Sequence, residues 1–227
     1  MGAFYQEFLK KETVKGVIFD VDGTLLDSMP VWAHSGERYL ATLGIHAPAS
    51  LGKILFSLTM QQGAEYMKKT YQLSQTAEEI QAGVKQTVAE AYGSEPGFRK
   101  GALEFLSALR KAEIPMAVVT STDRPLILAA FRRLGIENCF QKIFTCSEFG
   151  SGKDEPAIFH AAVKELGTPA EDTWVFEDAL YAIRTAKAAG FPVTAIADAF
   201  SKKEESEIRK LADYFITDFV MDNEVSI

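Results

Sequence analysis

The run Asp20-Val21-Asp22-Gly23-Thr24 sets two carboxylates one residue apart, directly after the apolar stretch Gly16-Val17-Ile18-Phe19. On an extended backbone, residues i and i+2 point to the same side. Asp20 can then attack an electrophilic phosphorus while Asp22 handles the leaving-group proton, and Gly23 lets the chain turn sharply. A carboxylate that meets a phosphate dianion needs a cation between them, which implies Mg²⁺ with oxygen ligands. The competing readings are a loop cap or another acidic motif. An EF-hand loop is excluded, because it wants Gly sixth and Glu twelfth from Asp20, and here Gly23 stands fourth and Val31 twelfth.

Two more chemically capable groups lie at the ends of apolar runs, and a third stands just before a helix. Thr120-Ser121 follows Met116-Ala-Val-Val119, where a hydroxyl and the next backbone N–H groups can hold a phosphoryl oxygen; a Thr at a strand end is equally often a helix cap. Lys153 in Gly152-Lys153-Asp154-Glu155-Pro156 can neutralise phosphate and nucleophile together, although a lone Lys is usually only solvated. Glu177-Asp178 after Thr173-Trp-Val-Phe176 is a second acidic pair, whose bland alternative is to favour a helix N-terminus. Glycine-rich nucleotide loops fail around Gly150-Ser151-Gly152-Lys153. A phosphate loop would need Gly where Ser147 stands and Ser or Thr at Asp154, and a dinucleotide fingerprint would need Gly at Glu155, so ATP and NAD are poor candidates.

These groups need elements that bring strand ends together. Short β-branched runs at Lys15–Phe19, Met116–Val119, Thr173–Phe176 and Pro192–Ile196, with weaker ones at Ile143-Phe144 and Tyr214–Ile216, read as strands. Helical stripes separate the later ones: Ala102, Phe105, Leu106, Leu109; then Ile127, Phe131, Leu134 between Pro125 and Gly135; then Ile158, Phe159, Ala162, Val163, Leu166 between Pro156 and Gly167. This alternation predicts an α/β fold, a doubly wound parallel sheet covered on both faces. From about Val31 to Tyr92 there is no convincing strand. Trp32, Tyr39, Leu40 and Leu43 share one face, then Met60, Ala64, Met67 and Tyr71, then Ile80, Val84, Val88 and Tyr92, the last opening with Thr76 and Glu79 at capping-box spacing. The organisation expected is a core of residues 1–28 and 97–227 with an all-helical insertion, residues 29–96, whose return hinge is Gly93–Gly97.

Composition bounds the partners. At about 150 residues per domain, 227 residues fit one large domain or a domain with a sizeable insertion. Hydrophobic residues at 47% and charged residues at 24% exclude intrinsic disorder. With 24 Lys and Arg against 31 Asp and Glu the net charge is −7, and the pI of about 5.1 disfavours nucleic acid as a partner. No apolar run is long enough to suggest a membrane span. Met1–Thr13 lacks the apolar region of a signal peptide, and Gln6 stands where a myristoylation motif wants Ser or Thr. Cys139 and Cys146 have neither metal-ligand nor redox spacing, so a cytoplasmic location is expected.

The order Asp20-x-Asp22-Gly-Thr, strand-end Thr120, Gly-Lys153-x-x-Pro, and Glu177-Asp178 followed by Ala188-Ala-Gly190 resembles the haloacid dehalogenase-like hydrolase superfamily, in its phosphatase and phosphomutase branch with a helical cap. The resemblance runs from about Lys15 to Phe219 and implies a Rossmann-like core. It implies that Asp20 is the phosphoryl-accepting nucleophile and a metal ligand, and that Asp22 is the general acid and base, its backbone carbonyl also on Mg²⁺. Thr120, Ser121 and Lys153 would bind the phosphoryl group, and Asp178 with Glu177 would complete the metal site directly or through water. A dehalogenase is disfavoured, since those relatives lack the second acid. Two motifs depart from the family's pattern: Ala179 and Ala182 replace the usual Ser and Gly after the acidic pair, and Asp154-Glu155 put two acids beside Lys153. The expected outcome is altered loop packing with the metal site retained and Lys153 still charged.

The function these residues imply is a Mg²⁺-dependent phosphatase of a small phosphorylated metabolite, such as a sugar phosphate, with oligomeric state open. A β-phosphoglucomutase-like enzyme would carry a cap Arg followed by Ser-Leu, whereas Leu51–Met60 offers Lys53 as its only base. That mutase and a catalytically silent, metal-binding regulatory protein remain the alternatives. Met29, Trp32 and Lys53 are the candidates for lining the substrate pocket of a cap that closes over it, with cap core as the competing role for Met29 and Trp32.

Overall fold

The computed structural model describes residues 8–10, 13–55 and 58–220. Most of Met1–Thr13, Phe56 and Ser57 of the cap segment, and residues 221–227 of the expected core lie outside the described residues.

The apolar runs become strands β1 (Gly16–Phe19), β2 (Met116–Thr120), β3 (Lys142–Thr145), β4 (Thr173–Glu177), β5 (Val193–Ile196) and β6 (Tyr214–Ile216). They form one six-stranded sheet in the order β3-β2-β1-β4-β5-β6, with every neighbouring pair parallel. All residues of β1, β2 and β4 are buried, as continuous apolar strands must be when helices cover both faces. Alternation along β1 sends neighbours to opposite faces. Ile18 packs with Val175, Phe159, Ile183 and Phe191. Phe19 joins an aromatic cluster in which ring centroids lie 5.1 Å apart for Phe19–Phe176, 5.1 Å for Phe105–Phe176 and 5.3 Å for Phe105–Phe219.

The chain runs outward from β1 through β2 to β3, then returns to the other side of β1 to start β4. Parallel sheets leave a crevice beyond the strands' carboxyl ends where the order reverses. Here that point lies between β1 and β4, paired from Gly16↔Thr173 to Phe19↔Phe176, so Asp20 and Glu177 leave the sheet on adjacent strands. The weak strand signals at Ile143-Phe144 and Tyr214–Ile216 become the two edge strands.

By compactness the chain divides into one unit ending at Asp27 and resuming at Gly97, and a second unit, Ser28–Pro96. The stems of the first are zipped together. Leu26 bridges Phe98 antiparallel, the Asp27 N–H donates to Gly97 O (3.0 Å), and the Arg99 N–H donates to Leu25 O (2.9 Å).

The second unit is helical, with Ser35–Thr42, Met60–Tyr71 and Ala77–Tyr92 as its longer helices. Thr76 and Glu79 form the expected capping box, and Thr59 with Gln62 forms another at the start of Met60–Tyr71. Tyr39, Leu40, Ala64, Met67, Ile80 and Val84 make its core. Two residues read as part of that face are exposed: Leu43, 37% exposed, and Met60, 46% exposed. Leu43 is the residue just past its helix and Met60 the first of its own, so each sits where the 3.6-residue period stops. Among the described residues, no helix is long and apolar enough to cross a membrane.

Candidate active site

Asp20 continues β1 by one step, its N–H donating to Phe176 O of β4 (3.0 Å). The chain then reverses. Gly23 adopts φ 81°, the left-handed region where a Cβ is strained, while the Thr24 and Leu26 N–H groups both return to Val21 O. This turn fixes Asp20 and Asp22 at the end of the central strand.

Lys153 is brought to Asp20 from 133 positions away in the sequence. Its Nζ donates to Asp20 Oδ1 at 2.7 Å and to Glu177 Oε2 at 2.7 Å, and all three side chains are buried. Burial works against the ammonium, but the Asp20 and Glu177 charges outweigh it and hold the Lys153 pKa well above its usual value. Lys153 therefore stays charged, as expected, though not because of the acids beside it in sequence: Asp154 and Glu155 are exposed.

Glu177 organises the loop that contains Ala179. The helix Leu180–Ala188 receives no side-chain cap from Ala179. Instead Glu177 Oε1 accepts the N–H groups of Asp178 (3.1 Å) and Ala179 (3.0 Å), which pins the loop leading into the helix. Both Glu177 oxygens are thereby engaged.

Ligand oxygens of Asp20, Glu177 and Asp178 all lie within 4.8 Å of one another. Three carboxylates face one ammonium, a formal deficit of two positive charges in a buried place. Asp20 Oδ2 is fully buried with no hydrogen-bond partner. Burial, then the charges of Glu177 and Asp20, push the Asp178 carboxyl well above its usual range; burial and then Asp20 raise Glu177, against the pull of Lys153. An oxygen-only donor set, a charge deficit and an orphaned buried carboxylate oxygen fit a hard divalent cation.

An acid whose folded pKa is raised makes the native state bind its proton more tightly, so stability falls as pH rises from the unfolded value, 3.8 for Asp178, through the folded one. In EDTA the melting temperature is expected to drop between about pH 5 and about pH 7.5. A divalent cation should reverse the drop, with the larger stabilisation at the higher pH. Calorimetry at the two pH values, with and without cation, checks both statements.

The β2 end supplies hydroxyls. Thr120 is fully buried and its Oγ1 accepts the Thr122 N–H (3.1 Å), which leaves its own O–H to offer. Ser121 is exposed, with Oγ 3.6 Å from Cys146 Sγ; both cysteines are free thiols. Thr122 Oγ1 donates to Asp22 Oδ2 at 2.7 Å. Sequence reasoning stopped at Thr120-Ser121 and missed Thr122, although the hydroxyl run Thr120-Ser121-Thr122 was the available signal. It also missed Tyr181. Burial raises that phenol's pKa, while Lys153 and a hydrogen bond with Ser121 pull it down, so Tyr181 belongs to the same cluster of groups.

In the helical unit, Met29 and Trp32 line a cavity of about 290 Å³ with Leu55, Met60, Gly63 and Ala64. The Trp32 Nε1–H donates to Tyr92 Oη at 2.8 Å. Lys53 is exposed, and the cavity wall beside it is Gly52 and Leu55.

Comparison with known proteins follows the same outline. The model of a family described as haloacid dehalogenase-like hydrolase matches residues 17–196. The chain is 28% identical over 181 residues to a phosphorylated carbohydrates phosphatase of Thermotoga maritima, covering 78% of this chain and 82% of the relative. It is 28% identical over 183 residues to hexitol phosphatase A of Escherichia coli, covering 80% and 82% respectively. A Thermotoga maritima structure described as a candidate β-phosphoglucomutase shares the fold, with a TM-score of 0.80 at 22% identity over 91% of this chain and 95% of that one.

Proposed function

The chain belongs to the haloacid dehalogenase-like hydrolases, and from that premise we propose that it is a Mg²⁺-dependent phosphatase of a small phosphorylated metabolite, working through a phosphoryl group carried on Asp20. The observation that carries this reading is the buried cluster in which Lys153 bridges Asp20 and Glu177 while Asp20 Oδ2 has no partner. A structural ion pair would have no use for that orphaned oxygen. A group that must meet both a cation and a phosphorus would.

In this reading Asp20 and Asp178 face the cation, and Glu177, with both oxygens engaged, acts on it through water or by orienting its neighbours. The Asp22 carbonyl would supply the cation with a backbone ligand. When bound, Mg²⁺ supplies Lewis-acid neutralisation of the phosphoryl oxygens. Lys153 adds a fixed positive charge, and the Thr120 hydroxyl with the Ser121 backbone completes the cradle. Asp20 attacks phosphorus; the ester P–O bond breaks as Asp22 gives its proton to the departing alkoxide. Asp22, now a carboxylate, then takes a proton from water, whose oxygen attacks the same phosphorus. The acyl-phosphate P–O bond breaks, releasing inorganic phosphate and restoring Asp20. An acidic protein can hold an anionic substrate here because the local charge of cation and Lys153 decides the sign.

The substrate class follows the relatives, whose names specify phosphorylated carbohydrates and hexitol phosphates; a sugar or polyol phosphate is the proposed substrate. Incubation of the purified protein with Mg²⁺ and a panel of sugar, polyol and short-chain acid phosphates is expected to release inorganic phosphate, with EDTA abolishing it. Failure to hydrolyse any phosphomonoester in that panel overturns the reading.

A further inference from the structure

Thr122 is tied down at both ends. Its N–H donates to Thr120 Oγ1 (3.1 Å), its Oγ1 donates to Asp22 Oδ2 (2.7 Å), and its side chain is buried. The partners lie 100 positions apart in sequence and meet because β2 lies beside β1 in parallel register, Phe19 opposite Val118. The residues that follow those strands thus emerge on the same edge of the sheet.

We infer that Thr122 is a positioning residue that fixes the rotamer of Asp22, the proposed general acid, through the bond to its Oδ2. A hydroxyl donating to Oδ2 holds that oxygen as its acceptor at a fixed place beside the end of β2. The Asp22 carboxyl cannot turn to exchange its two oxygens without breaking that bond. General acid catalysis contributes about 10²–10⁴-fold when the acid is held within hydrogen-bond reach of the leaving group. A Thr122 hydroxyl that holds it there carries part of that factor without touching substrate.

The inference rests on the phosphatase reading, and the leaving group separates it from a merely structural role. Departure of p-nitrophenolate needs no proton, whereas departure of a sugar or alkyl alkoxide does. kcat/KM ends at the first irreversible step, loss of the leaving group, so it excludes the later water attack in which Asp22 acts as base. Thr122→Val keeps the shape of the side chain and removes the hydroxyl. It is expected to lower kcat/KM by about 10–100-fold on an alkyl or sugar phosphate and by less than about threefold on p-nitrophenyl phosphate. Thr122→Ser, which restores the hydroxyl, should return the alkyl-ester value to within about threefold of the starting protein. Equal losses on the two esters, no loss on the alkyl ester, or no rescue by Ser overturns the inference. Thr122→Ala carries the same comparison if the Val variant does not fold. A starting protein that hydrolyses neither ester defeats the phosphatase reading instead, so the two failures are told apart.

Discussion

Asp20→Asn is expected to lower phosphatase kcat/KM by roughly 10⁴–10⁶-fold, the scale on which loss of a catalytic nucleophile acts. The amide keeps the shape of the carboxylate but is a poor nucleophile, and it removes the oxygen that lies buried without a partner. The fold should not suffer. The substitution takes one negative charge out of a cluster of three buried carboxylates, so the melting temperature in EDTA should stay the same or rise, and the stabilisation by Mg²⁺ should shrink. Steady-state kinetics paired with thermal melts provide the check. A folded variant that keeps a tenth of the activity removes Asp20 from the role of nucleophile.

Lys153→Met is expected to lose both activity and stability, and the contrast with Asp20→Asn is the informative part. Lys153 donates to two carboxylates at 2.7 Å with all three groups buried. Deleting one member of such a group leaves uncompensated charge in the interior, at about 3–5 kcal/mol. For a chain of this size that is a fall in melting temperature of about 6–20 °C. The raised pKa of Lys153 sets the window: the stabilisation is fully present below its ordinary value of 10.5 and is lost only as pH rises through the folded value. In the variant, Asp20 and Glu177 can be accommodated by taking up protons, so the deficit should be smaller in acid than at neutral pH. Mg²⁺ should recover part of the stability by supplying the missing positive charge, while activity stays low because the ion does not replace the ammonium on the nucleophile's Oδ1. Melting curves across pH, with and without Mg²⁺, decide the point; a variant with unchanged stability means that the buried bridge is not what offsets the carboxylate charge.

Much of the site was legible in the chain because its signals are local. An apolar run followed at once by Asp20 or by Glu177 states both that a strand is present and that a carboxylate stands at its end. Gly23 announces a sharp turn through its own φ, and the Thr76–Glu79 box announces a helix start within one turn of backbone. Each of these is encoded within a few residues, so a reading along the chain suffices. The same locality explains the failures. The apolar stripe of the helical unit was extended to Leu43 and Met60, which the structure exposes, because hydrophobic period alone cannot say at which residue a helix ends. Sequence adjacency does not say which way a side chain turns: Lys153 enters the buried bridge while its neighbours Asp154 and Glu155 are exposed.

By itself the sequence determined the parallel α/β sheet, the helical insertion, and the list of carboxylates, hydroxyls and the lysine placed at strand ends. The tertiary structure alone decided which of those groups bond to which. Lys153 chooses Asp20 and Glu177 over its own neighbours, Glu177 turns one oxygen back onto the N–H groups of the loop before Leu180, and Thr122 takes Asp22. These choices depend on strand order and register, which bring together residues separated by 133 and 100 positions at one edge of the sheet. A hydrogen bond distinguishes one oxygen of a carboxylate from the other over a fraction of an ångström, and no pattern of residue types along a chain carries a distance that fine.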